Sequence, residues 1–166
     1  MPIARATNEG KVLKISNLLA LSIAAVLIPA PTAGFAQQDT ISTYRGPVVL
    51  PDFTGRDRAF APYRTRIVSE VSRGPNFAGR YALTEIGCGT SCRIAFITDL
   101  QSGRVYRFPY GGEEYYGLWL TYTVRSDMIS AQWLEGDRCI KEDLLWGGNG
   151  FSVLNRRSLG ENACDL

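Results

Sequence analysis

Cys88 and Cys92 stand three residues apart in the stretch TEIGCGTSCRIAF (84–96), with glycine on both sides of the first and Glu85 just upstream. Residues of these types support several chemistries: a dithiol that exchanges with other disulfides, half of a zinc site, or a closed bridge that shapes a loop. Glu85, on an apolar-flanked strand, adds a lone general acid if it is buried. The spacing departs from the Cys-x-x-Cys of thiol oxidoreductases, and no helical pattern follows it to activate a thiolate. With Cys139 and Cys164 the chain has four cysteines, but intervals of 3, 46 and 24 residues between them match no common zinc finger, so no metal is expected. The chain contains 0 histidines. That removes Ser-His-Asp and Cys-His nucleophilic machinery, histidine general bases and every histidine-containing metal site.

The elements around the cysteine pair favour the closed bridge. RYALTEI (80–86) and RIAFIT (93–98) read as strands rich in β-branched and aromatic residues. Gly89, Thr90 and Ser91 would form a three-residue hairpin loop with Cys88 and Cys92 facing each other at its base. Glycine normally closes such a loop at its last position, and here it comes first, so an irregular turn is expected. Four cysteines allow three connectivities. The local one, Cys88 with Cys92 and Cys139 with Cys164, is expected. Loop-closure entropy then assigns about 2 kcal/mol to the small ring and about 3.5 kcal/mol to the large one, which ties the C-terminal tail to the sheet.

Residues 54–75 (TGRDRAFAPYRTRIVSEVSRGP) carry apolar groups at helical spacing, with Thr54 and Asp57 as an N-cap pair and Gly74-Pro75 as the stop. Pro62 restricts the firm helix to 63–72. From Gly79 onward, strand-like runs at 80–86, 93–98, 105–108, 117–124, 128–134, 138–146 and 151–155 alternate with turn signals. The expected fold is mainly β: antiparallel meander sheets able to stack, one N-terminal amphipathic helix, and disulfide staples.

Other polar candidates carry less. Glu113-Glu114 and Glu142-Asp143 are adjacent pairs whose side chains diverge in extended structure, so neither forms a close acid–base couple. Glu135-Gly136-Asp137 reads as a hairpin turn. Aromatic faces on a rigid sheet could stack on sugar rings, but Trp and Tyr also fill the core of a small β domain, and Tyr106, Trp119, Tyr122, Trp133 and Trp146 are assigned there. Tyr110, Tyr115 and Tyr116 lie in PYGGEEYY (109–116), which reads as an exposed loop and a second candidate binding segment.

The N-terminus sets the compartment. Arg5, Lys11 and Lys14 precede the apolar run LLALSIAAVLI (18–28), and Gly34 and Ala36 suit a cleavage site. Residues 1–36 therefore read as a secretory signal, 37–53 as an extended lead and 54–166 as one β-rich domain. The apolar run is too short to span a membrane, which needs about 20 residues. Of 18 basic and 16 acidic residues, three and one lie in the signal, leaving 15 of each in a neutral mature chain. Neutrality gives no electrostatic reason to expect nucleic acid or anionic lipid. No cofactor is expected, and the place implied is the periplasm or the medium.

GPNFAGRY (74–81), GCGTSCR (87–93) and TDLQSGRVY (98–106) together resemble a family of small exported proteins of Gram-negative bacteria whose domain has no assigned function. That resemblance implies export and an all-β body but no catalytic residues. A disulfide-closed loop followed by a RIAF-type strand is also similar to periplasmic inhibitors of vertebrate-type lysozyme. There Cys88 and Cys92 correspond to the cysteines bounding an inhibitory loop, while nothing in Gly89-Thr90-Ser91 matches that loop's histidine. Two function classes follow. The favoured one is a non-catalytic binding or inhibitor-type domain that presents loop 88–92 and the aromatic loop 109–116 to an envelope protein or glycan. The alternative is an enzyme, either a thiol–disulfide protein using Cys88 and Cys92 or a carboxylate hydrolase using Glu85.

Overall fold

The computed structural model of the chain describes residues 41–161, 163 and 164; the signal segment read at 1–36 lies outside them. The chain is mainly β, as its alternation predicts. Strands β1 (Tyr81–Gly89), β2 (Cys92–Asp99) and β3 (Val105–Gly111) form one antiparallel meander. β4 (Tyr116–Thr121), β5 (Met128–Glu135), β6 (Arg138–Trp146) and β7 (Phe151–Glu161) form a second. The helix α1 (Arg64–Val71) follows a 3-10 stretch at Arg58–Tyr63 that contains Pro62.

Alternation sorts the side chains into three layers. Leu83, Ala95, Ile97 and Phe108 of the first sheet meet Leu120, Ile129, Ala131, Trp133 and Leu144 of the second in a shared core. The other face of the first sheet, with Ala82, Ile94 and Phe96, is covered by Ile67 and Val71 of α1. Both helix residues are fully buried, which for side chains of this size contributes about 1.5–3 kcal/mol each. Tyr44, Phe53, Phe60 and Tyr63 of the lead and 3-10 segment complete that layer.

The predicted N-cap does not form. Neither helical segment has a side-chain cap, and Asp57 is instead almost fully buried. Its Oδ1 accepts from the backbone N–H of Val105 at 3.1 Å and its Oδ2 from Arg56 at 2.9 Å, pinning the lead to the start of β3. Asp52 organises the local turn, accepting from the N–H of Gly55 at 2.8 Å and the Thr54 hydroxyl at 2.9 Å. The Thr54 hydroxyl, followed by the Gly55 N–H, holds the Asp52 carboxyl below the ordinary aspartate value.

The block GPNFAGRY proves to be the connector from α1 to β1. Asn76 receives the N–H of Leu83 at 2.7 Å and donates to its carbonyl at 2.9 Å. Phe77 is fully buried. The N–H of Gly79 donates to Val124 at 2.7 Å, joining the connector to the segment that leaves β4. Gly79 has φ 76°, and a Cβ there would stand 2.6 Å from the Ser42 carbonyl oxygen, so only glycine fits.

Both disulfides are formed in the expected local pairing, with Cα–Cα distances of 5.1 Å for Cys88–Cys92 and 5.3 Å for Cys139–Cys164. The second fastens the residues beyond β7 to fully buried Cys139 on β6.

Candidate functional site

The β1–β2 hairpin is tighter than its sequence suggests. β1 continues through Gly89, which pairs with Cys92, so only Thr90 and Ser91 form the turn and Cys88 lies in a bulge between the pairs Gly87–Arg93 and Gly89–Cys92. Cys88 and Cys92 therefore do not face each other across the ladder; the bulge brings them together. Ser91 takes the left-handed conformation, φ 54°, in which glycine is normally preferred. Gly89, Thr90, Ser91 and Cys88 are all exposed.

Two backbone hydrogen bonds brace this tip. The N–H of Gly117, at the start of β4, donates to Ser91 at 2.8 Å, and the N–H of Gly112 donates to Arg93 at 2.9 Å. Between the braced hairpin and β4 lies a cleft of about 610 Å³, lined by Glu85, Ser91, Cys92, Arg93 and Trp119 with glycines between them. This volume falls within the range of small-ligand sites, roughly 300–1,000 Å³.

Glu85 and Arg93 both point toward the sandwich interior at its open end, on neighbouring strands. Arg93 Nη1 donates to Glu85 Oε2 at 2.6 Å, and Tyr122 Oη donates to Glu85 Oε1 at 3.1 Å. Burial, followed by the negative charge of Glu85, holds the Tyr122 phenol well above the ordinary tyrosine value. The Arg93 guanidinium lies 5.2 Å from the centre of the Trp119 ring, within cation–π range. A planar ion pair and an indole are thus fixed against each other at the mouth of the cleft.

Trp119 corrects its sequence assignment. Its neighbours Leu118 and Leu120 fill the core, so alternation directs Trp119 outward, where it is 53% exposed. The strand pattern contained that signal, but hydrophobicity alone concealed it.

Tyr110 and Tyr115 move the other way. Residues 109–111 extend β3 and Glu113–Tyr115 form a 3-10 turn, so PYGGEEYY is not one open loop. The two rings stack at 4.9 Å and both pack on Trp133, at 5.0 and 5.3 Å. Only Tyr116 remains exposed, next to Gly117 at the cleft. Tyr110 donates to Glu142, a residue that sequence reasoning passed over because it was judged only as half of an adjacent pair. Glu142 occupies an inward position of β6 between Ile140 and Leu144, is 3% exposed, and accepts from Arg156 of β7 at 2.8 Å. Burial first, then the bond to Glu142, raises the Tyr110 phenol well above its ordinary value. This network joins the two sheets, and Tyr110, Glu142 and Arg156 are not among the residues lining the cleft.

Among the described residues no cluster of His, Cys, Asp or Glu is arranged to hold a metal ion, and no helix is long and apolar enough to cross a membrane. Fold and site together define a disulfide-stapled two-sheet β domain with a cleft beside a braced hairpin. No family model, curated protein or solved structure matches the chain.

Proposed function

We propose that the chain is an exported, non-catalytic binding domain of inhibitor type, acting in the periplasm or medium and engaging its partner through the cleft between the 88–92 hairpin and β4. The observation that carries this reading is the state of the cleft's ionic groups. Its carboxylate, Glu85, is held by Arg93 and Tyr122, and among the described residues no second carboxylate lines the space to share a proton transfer. A braced hairpin beside an exposed indole suits recognition, which rewards groups fixed before contact. The two closed disulfides and the signal-like residues 1–36 support a place outside the cytoplasm.

The test is capture from an envelope extract by immobilised full-length chain, with vertebrate-type lysozyme as an additional defined probe. Trp119→Ala and an insertion at Thr90 should each abolish capture while the thermal midpoint stays near that of the wild type. Undiminished capture by both variants would overturn the assignment of the cleft. The exposure of Cys88 favours thiol exchange as the second reading. A Cys92→Ser variant that accumulates mixed disulfides through Cys88 would move the function there.

A further inference from the structure

We propose that the ligand of this cleft is a neutral saccharide, its ring stacked on Trp119 and its hydroxyls bonded by Glu85 and Arg93; this rests on the binding reading above. Four features select that chemistry. First, Trp119 offers a flat apolar surface in water, half exposed and held in place by a guanidinium that is itself fixed by Glu85. The C–H face of a pyranose matches such a plane, because it is both apolar and slightly positive against the negative face of the indole.

Second, hydrogen-bonding capacity is left over beside the ring. A guanidinium has five N–H donors and a carboxylate about four acceptor sites. Among the described residues Arg93 spends one side-chain donor on Glu85, and Glu85 receives one bond on each oxygen. Donors and acceptors therefore remain side by side in fixed planes, the pattern that a pair of vicinal hydroxyls, each both donor and acceptor, can satisfy.

Third, the charges cancel. Among the described residues Glu85 and Arg93 are the only ionic ones lining the cleft, so neither an anion nor a cation is favoured over a neutral polyol. Fourth, Gly87, Gly89 and Gly117 leave one wall without side chains, so a broad ring can approach the backbone.

The experiment is titration of the purified full-length chain with the trimer of N-acetylglucosamine and with maltotriose, followed by tryptophan fluorescence and calorimetry. Saturable binding of at least one trisaccharide is expected. Trp119→Ala should weaken it at least about tenfold, as for an aromatic anchor, Trp119→Phe should restore most of it, and Glu85→Gln should weaken it in protein that is still folded at the titration temperature. Absence of saturable binding into tens of millimolar, or binding that Trp119→Ala leaves unchanged, overturns the saccharide proposal. If Trp119-dependent capture of an envelope protein persists in that case, the cleft remains a binding site for a protein. If that capture fails as well, both readings fall.

Discussion

Removing a single hydroxyl, in Tyr110→Phe, tests whether Tyr110 serves the fold rather than a binding loop. The hydroxyl donates to Glu142, which is 3% exposed, so water has little access to replace it. The other carboxylate oxygen keeps Arg156 at 2.8 Å, and the guanidinium, 49% exposed, still balances the charge. The loss is therefore one hydrogen bond to an ionised group, about 1.5–3 kcal/mol, and not the larger penalty of stranding a buried charge. We expect about 2 kcal/mol, which in a domain of this size lowers the thermal midpoint by roughly 6–10 °C. The ring and its contacts with Tyr115 and Trp133 stay in place. Urea unfolding should show a lower midpoint at constant slope, and the same substitution in a Glu142→Leu background should cost less than about 0.5 kcal/mol, since its partner is gone. A Tyr110→Phe protein as stable as the wild type would refute the reasoning, because the buried carboxylate would then have another donor. Cleft binding should be untouched throughout.

The two disulfides should differ in worth: replacing Cys139 and Cys164 by alanine should cost about 3.5 kcal/mol from loop closure, against about 2 kcal/mol for Cys88 and Cys92. Urea midpoints measure both, and a hairpin variant less stable than the tail variant contradicts the ordering. Alkaline stability should report Tyr110 and Tyr122, whose phenols are both raised by burial and by nearby carboxylates. A raised folded value means the unfolded chain loses its protons first, so this contribution is full below pH about 10 and falls as pH rises further. The stability gap between wild type and Tyr110→Phe/Tyr122→Phe should accordingly narrow above that pH, and a constant gap would exclude the linkage. Ser91→Gly should stabilise the hairpin by about 0.5 kcal/mol, the difference between left-handed strain in serine and the chain entropy of glycine. A loss of stability on calorimetry would mean that the serine side chain supports the turn.

The fold was largely legible because its signals are local and repeated. Alternation from Gly79 onward is enough to establish strands, since a period of two buries one face only. Cysteines flanking a turn are confined to each other by the shortness of the chain between them. The N-cap expected at Thr54 and Asp57 does not form for a corresponding reason: residue type is local, but the partner of Asp57 is Val105, on the far side of a helix and two strands. No spacing rule reaches that far.

The candidate site divides along the same line. The sequence by itself determined the antiparallel β architecture, the local disulfide pairing, the absence of histidine chemistry and the exposed Gly89-Thr90-Ser91 tip. It also contained, in the alternation of β4 and β6, the outward direction of Trp119 and the inward direction of Glu142. Only the tertiary structure decided what these residues meet. Glu85 and Arg93 are strand neighbours, but Tyr122 and Trp119 reach them from the opposite sheet, and Tyr110 finds Glu142 across the sandwich. Packing of one sheet on another is fixed by twist, side-chain volume and the bulges that shift register, summed over many residues. A side chain's face is written in its own strand; its partner is written in the way two sheets close.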